Sequence, residues 1–232
     1  MSLETTLFTI LLMLYFLLMA DQESNKKLHS DRRELFINLR RSIKSHAVLK
    51  AMERVPREEF VRKPDRLNAY LNIALSLGEC QTISQPYIVA LMTEALELQP
   101  NDKVLEVGAG SGYQAAVLAE LVPKGDVVTV ELIRNLAERA RKTLGGLGYK
   151  NVTVEDATEI LGFPDGACYN VIVVSAATPT LCPSLIAQLR VGGRMVVPVG
   201  DRDQQELIYV LRTGEGISLR MLGLCRFVPL VG

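Results

Sequence analysis

Sulfur and imidazole are scarce in this chain. Its 232 residues include four cysteines (Cys80, Cys168, Cys182 and Cys225) and two histidines, His29 and His46. No cysteine pair has C-x-x-C spacing and no cysteine clusters with a histidine, which argues against a zinc site and against a disulfide framework. Both histidines lie in polar N-terminal sequence, far from every glycine-rich stretch, so histidine acid–base catalysis is not expected. Net charge is missing too: 26 Lys and Arg balance 26 Asp and Glu. A neutral chain lacks the electrostatic footprint of a nucleic-acid binder. The bias is local, with thirteen basic and eight acidic residues in 21–66. That region reads as a solvated helix face, with an anionic partner as the alternative. Neither a metal nor a nucleic-acid partner is expected.

Long hydrophobic runs are also few. The exception is residues 5–20, TTLFTILLMLYFLLMA, sixteen residues without a charge. A spanning helix needs about 20. Glu4 precedes the run and no basic residue does, unlike a secretory signal, and Leu18-Met19-Ala20 makes a poor cleavage site. Lys26 and Lys27 follow it, which would keep that side cytoplasmic if the segment were an anchor. Four readings stay open: an uncleaved anchor or signal-like segment, a cleaved export signal, a start codon placed too early, or a helix buried against the domain or a partner. Membrane association through residues 5–20 therefore remains open, and the function is read without it.

What is present suits one large domain. At 48% hydrophobic and 22% charged, the chain is neither disordered nor a coiled coil, and at this length it hides roughly 70% of its unfolded surface. Residues 1–20 form the hydrophobic segment, 21–33 a polar linker or helix start, and 34–232 the domain, with 34–98 helical. Residues 84–98 have an amphipathic helical period. From 103 the pattern changes. Strands are predicted at 103–107, 126–131, 152–155, 169–175, 193–198 and 206–212, with helices over 113–121, 133–147 and 183–189. Alternation of this kind predicts an α/β fold, a doubly wound, Rossmann-like, mostly parallel sheet.

In such sheets ligands bind beyond the carboxyl ends of the strands. The turn Gly108-Ala109-Gly110-Ser111-Gly112 stands there, after the first of these strands. Its glycines permit a sharp turn and a close backbone approach to a ligand. Glu131 ends the next strand, where a carboxylate can accept hydrogen bonds from vicinal ribose hydroxyls. Asp156 ends the third, where an acid and adjoining backbone can hold an adenine edge. A dinucleotide fingerprint needs a third glycine at 113, but the residue is Tyr113. The pattern therefore favours S-adenosylmethionine, which has a ribose but no pyrophosphate.

Residues 103–119, KVLEVGAGSGYQAAVLA, look like the first motif of class I methyltransferases. With 55–61 (VPREEFV), 81–87 (QTISQPY), 192–200 (GGRMVVPVG) and 226–230 (RFVPL), the chain resembles the protein-L-isoaspartate O-methyltransferase family over roughly 34–232. The resemblance implies methyl transfer from S-adenosylmethionine to the free α-carboxylate of L-isoaspartyl residues in damaged proteins, and repair through a succinimide. It implies Ser84 as the active-site serine. It places cofactor contacts at Gln81, Thr82, Ile83, Ser84, Gly108, Gly110, Ser111, Gly112, Glu131, Asp156 and Ala157. Peptide contacts fall on Ile83, Ser84 and Val228. From position alone, Ser84 also reads as an N-cap for the following helix. Three departures stand out: Ala157 replaces a usual glycine, and Asn72 and Asn170 replace usual acids. The expected state is a cytoplasmic monomer. The alternatives are another small-molecule or RNA methyltransferase of this fold, or a non-catalytic, membrane-tethered relative.

Overall fold

The computed structural model describes residues 3–230 and, before position 22, the side chains of Met13 and Met19 only. The chain opens with helix α1 (Leu3–Leu39). It runs unbroken through 21–33, so that stretch is helical and not a linker. Its polar residues face solvent, Lys27 pairs with Asp31 one turn on, and Leu28, Leu35, Phe36 and Leu39 are buried. Residues 5–20 lie on α1, but most of their side chains fall outside the described residues, which leaves the four readings of that segment as they stood. Among the described residues no helix is long and apolar enough to cross a membrane.

Helix α2 (His46–Arg54) is capped by Ser45, whose hydroxyl accepts the Val48 N–H at 3.3 Å. It buries Val48, Leu49, Ala51 and Met52. An antiparallel hairpin follows, β1 (Leu75–Gly78) and β2 (Gln81–Ile83). Helix α3 (Pro86–Ala95) starts on Pro86, whose missing N–H costs nothing in a first turn.

The body is a seven-stranded sheet of β3 (Lys103–Val107), β4 (Asp126–Glu131), β5 (Val152–Asp156), β6 (Tyr169–Val174), β7 (Leu189–Gly200), β8 (Gln205–Arg212) and β9 (Ile217–Cys225). Their spatial order is β5-β4-β3-β6-β7-β8-β9. The pairs from β5 to β7 are parallel, and β8 and β9 add antiparallel pairs at one edge. Helices α4 (Tyr113–Leu121), α5 (Arg134–Gly146) and α6 (Pro183–Gln188) connect strands. Side chains alternate between two cores. Val171 and Val173 of β6 join the one containing α2 to α5, while Ile172 and Val174 join the one containing Leu185 and Leu189. Burial on both faces is why these strands read as continuous Val and Ile runs. The chain proceeds outward from β3 through β4 to β5, then returns to place β6 on the other side of β3. That reversal opens a crevice at the carboxyl ends of β3 and β6.

Candidate active site

A cavity of about 200 Å³ occupies the crevice. Its floor is the turn after β3. Gly108 and Ala109 donate their N–H groups to the carbonyl of Val130 at 2.9 and 3.0 Å, which ties the turn to β4. Gly110 has φ +54 and donates its N–H to Glu131 Oε2 at 2.7 Å. The other oxygen, Oε1, accepts the Ile133 N–H at 2.9 Å. Glu131 is thus locked by two backbone donors, one on each oxygen, with lone pairs left on both for a ligand.

The remaining walls come from the ends of other elements. The segments 81–84, 157–162 after β5, Ser175 and Ala176 after β6, and 228–230 all line it. The last segment is pinned by backbone bonds, Ala177 N–H to Val228 O at 2.8 Å and Leu230 N–H to Ala177 O at 2.7 Å.

The structure brings Gln81, Thr82, Ile83, Ser84, Gly108, Gly110, Ser111, Glu131, Ala157 and Val228 into this one wall. Two sequence-predicted residues stay out of it. Gly112 faces α5: a Cβ there would lie 3.0 Å from Leu144 Cδ1 and 3.4 Å from Ala140 Cβ, so its bareness lets the start of α4 pack against α5. Asp156 turns outward and accepts a hydrogen bond from Arg141 Nη2 at 2.8 Å, with its side chain 69% exposed. Its neighbour Ala157 lines the wall instead, and donates its N–H to the Glu131 carbonyl at 2.9 Å. Ala157 is not among the residues with positive φ, so the loss of glycine there strains nothing. Ser84 is not the cap of α3. That position is Gln85, which makes no side-chain capping bond. The Ser84 hydroxyl makes no hydrogen bond to the described residues, which leaves it available to the cavity it lines. Both Asn departures keep the acceptor oxygen that an acid would offer: Asn72 Oδ1 accepts the Tyr87 N–H at 3.0 Å and Asn170 Oδ1 the Lys103 N–H at 2.9 Å.

Sequence reasoning missed Glu106, Gln114 and Ser175, all wall residues. Glu106 is fully buried. It accepts hydrogen bonds from the Thr129 hydroxyl at 2.6 Å and the Ser175 hydroxyl at 3.4 Å. The available signal was a single acid inside KVLEV, a strand that is apolar on both faces. Burial and the nearby Glu131 charge push Glu106 from 4.5 up to about 8, against the pull of the two hydroxyls. Between those values the native state holds a proton that the unfolded chain has released, so this group makes stability fall as pH rises from 4.5 to about 8. Glu106→Gln removes that slope, and thermal unfolding of wild type and variant across the window checks it.

The wall carries Glu131 and Glu159 beside Glu106, which keeps its proton up to about pH 8, and among the described residues lining it there is no Lys, Arg or His. Such a cavity is electrostatically suited to a cationic guest. Among the described residues no three His, Cys, Asp or Glu side chains gather as a metal site.

Comparison with known proteins shows the family. The family model described as protein-L-isoaspartate(D-aspartate) O-methyltransferase matches residues 30–232. The chain belongs to that family. The protein-L-isoaspartate O-methyltransferase 1 of Syntrophobacter fumaroxidans is 52% identical over 192 residues, covering 83% of this chain and 89% of its own. The protein-L-isoaspartate O-methyltransferase of Methanothermobacter thermautotrophicus is 50% identical, covering 82% of this chain and 89% of its own. Among solved structures, a protein-L-isoaspartate O-methyltransferase superposes with a TM-score of 0.79 at 32% identity, over 87% of this chain and 66% of that one. A Plasmodium falciparum structure in complex with S-adenosyl-L-homocysteine gives a TM-score of 0.74 at 20% identity, over 86% of this chain and 98% of its own, and supports the fold. The family's fold is thus the one predicted, a mostly parallel α/β sheet with helices around it.

Proposed function

We propose that this methyltransferase carries a methyl group from S-adenosylmethionine to the free α-carboxylate of L-isoaspartyl residues in damaged proteins. The observation that carries the reading is the crevice itself: a glycine turn and a backbone-locked Glu131 on one side, a free Ser84 hydroxyl on the other, and acidic walls between.

The residues fit the donor. Glu131 has unused lone pairs for the two ribose hydroxyls, and the bare backbone of Gly108 and Gly110 leaves room for close approach. Segment 157–162 offers backbone and apolar surface for an adenine edge. When bound, S-adenosylmethionine supplies a sulfonium methyl, an electrophilic carbon that needs no activation by a metal. The acidic walls favour its positive charge over the neutral thioether left afterwards, which promotes exchange of product for donor.

The substrate carboxylate has an ordinary pKa near 4, so it is an anion at neutral pH and needs no general base. Ser84 donates a hydrogen bond to it and fixes its direction. One carboxylate oxygen forms a bond to the methyl carbon as the carbon–sulfur bond breaks, and sulfur keeps the electron pair. The products are a methyl ester and S-adenosylhomocysteine. The protein supplies alignment and a water-poor cavity. Attack of the neighbouring backbone nitrogen on the ester then releases methanol and closes a succinimide, and hydrolysis returns part of it to normal aspartate. Val228 and Leu230, held by Ala177, border the entry where an extended peptide would lie.

Ser84→Ala lowers turnover by about 10- to 100-fold, the worth of one hydrogen bond to a charged group, and leaves cofactor affinity intact. The reading itself is tested by transfer of labelled methyl to paired peptides that differ only in isoaspartate versus aspartate. Base-labile label must enter the isoaspartyl member alone, and equal labelling would overturn the proposal.

All the walls come from one chain, so a monomer suffices. We place the protein in the cytoplasm, where the methyl donor is made. Cell fractionation with N-terminal sequencing of the mature chain tests this, and recovery of the protein outside the cell would contradict it.

A further inference from the structure

Arg57 lies behind the wall that carries Ser84. It opens the short turn Arg57–Glu59 and is fully buried. Its Nε donates to the Ala69 carbonyl at 2.8 Å and its Nη2 to the Ser84 carbonyl at 2.7 Å. The guanidinium lies over the Tyr113 ring, 4.7 Å from its centroid, and Phe60 packs edge-on with the same ring at 5.6 Å between centroids. Nη1 has no hydrogen-bond partner. Among the described residues no carboxylate stands within ion-pair distance of this cation.

Buried charges are normally paired, because desolvation is otherwise uncompensated. This one faces, through Ser84 and Tyr113, a cavity whose own charges are all negative. Acidic walls welcome a sulfonium but repel a carboxylate. We propose that Arg57 is the positioning residue that admits the anionic substrate: its fork fixes the Ser84 peptide unit, and its uncompensated charge offsets the acidic walls where the carboxylate binds. The counter-charge of Arg57 arrives with the substrate. An arginine suits the task because one planar fork reaches carbonyls from two separate segments, which a lysine ammonium on its single stem does less well. This inference rests on the isoaspartyl reading above.

The test uses Arg57→Gln and Arg57→Lys, an isoaspartyl peptide, and the same peptide with the isoaspartyl carboxylate replaced by a neutral primary amide. In Arg57→Gln the KM for the isoaspartyl peptide rises about tenfold, the order expected for one charge acting across several ångströms of protein. The amide peptide's inhibition constant stays unchanged and the affinity for the cationic S-adenosylmethionine does not fall, so the preference for anion over amide collapses. Arg57→Lys keeps that preference at pH low enough for its ammonium to be charged, and loses turnover. A merely structural role would lower turnover and cofactor affinity together and leave the anion preference in place, and that result overturns the inference.

Should the glutamine variant fail to fold, the lysine variant decides. A buried lysine loses its proton at far lower pH than an arginine, so its anion preference falls with rising pH more steeply than that of the wild type, which Glu106 alone lowers as it ionises towards about pH 8. Burial pushes the facing phenols of Tyr113 and Tyr70 upward, so both stay protonated, and Glu106 titrates in wild type and variant alike. A preference that follows pH in Arg57→Lys as it does in the wild type overturns the inference. Failure of the wild type to methylate the isoaspartyl peptide overturns both readings, whereas an active wild type without the Arg57 effect overturns this one alone.

Discussion

Replacing Glu131 by glutamine lowers the affinity for S-adenosylmethionine by about 100-fold, from the loss of charge-assisted hydrogen bonds worth roughly 1.5–3 kcal/mol each. The reason lies in the donors that face it. Glu131 accepts from the Gly110 N–H on one oxygen and from the Ile133 N–H on the other. A carboxamide offers a single acceptor oxygen, and its NH2 must then point at one of those backbone donors. Either the glycine turn or the start of α5 loses its partner, and the ribose loses a charged acceptor. Calorimetric titration with S-adenosylhomocysteine measures the loss. An affinity within a few-fold of wild type contradicts the assignment of Glu131.

The second large effect comes from the turn itself. Gly110→Val abolishes measurable cofactor binding, and the cause is conformational. A Cβ at Gly110 would meet only Leu77 Cδ1, at 3.5 Å, an ordinary contact. The backbone, however, sits at φ +54, where a β-branched side chain is strained by about 1–3 kcal/mol. Relief of that strain swings the Gly110 N–H away from Glu131 and collapses the floor of the cavity. Gly110→Ala, smaller and less restricted, should retain part of the affinity. The same titration ranks the three proteins, and equal affinities would contradict the role given to this turn. Circular dichroism separates loss of the site from loss of the fold.

Much of this was legible in the sequence. Runs such as DVVTVE and YNVIVV announced strands buried on both faces, and the spacing of Gly108, Gly110 and Glu131 announced three residues that line one cavity. The failures have physical causes. The hairpin of β1 and β2 carried no turn signature, because Glu79 and Cys80 adopt positive φ (52° and 56°) without being glycine. Strand β9 escaped notice because it is an edge strand whose apolar residues are exposed, Leu219 at 52% and Met221 at 50%. Residues 21–33 left a linker and a helix start both open because a helix with one buried stripe is polar on most of its circumference. Asp156 and Gly112 sat at motif positions whose surroundings depend on α5, an element that spacing alone does not orient. Glu106 and Arg57 were passed over for opposite reasons. The first hid inside a strand counted as apolar, and the second inside a charged stretch counted as solvated.

The central claim is spatial: an adenosyl group over the 108–112 turn, with an anionic oxygen held beside Ser84. A crystal structure with S-adenosylhomocysteine and an isoaspartyl peptide tests it most directly. The account predicts the ribose on Glu131, the adenine against 157–162, and the peptide carboxylate between the cofactor sulfur and the Ser84 hydroxyl. A nucleoside bound elsewhere, or a carboxylate that never approaches Ser84, would contradict it.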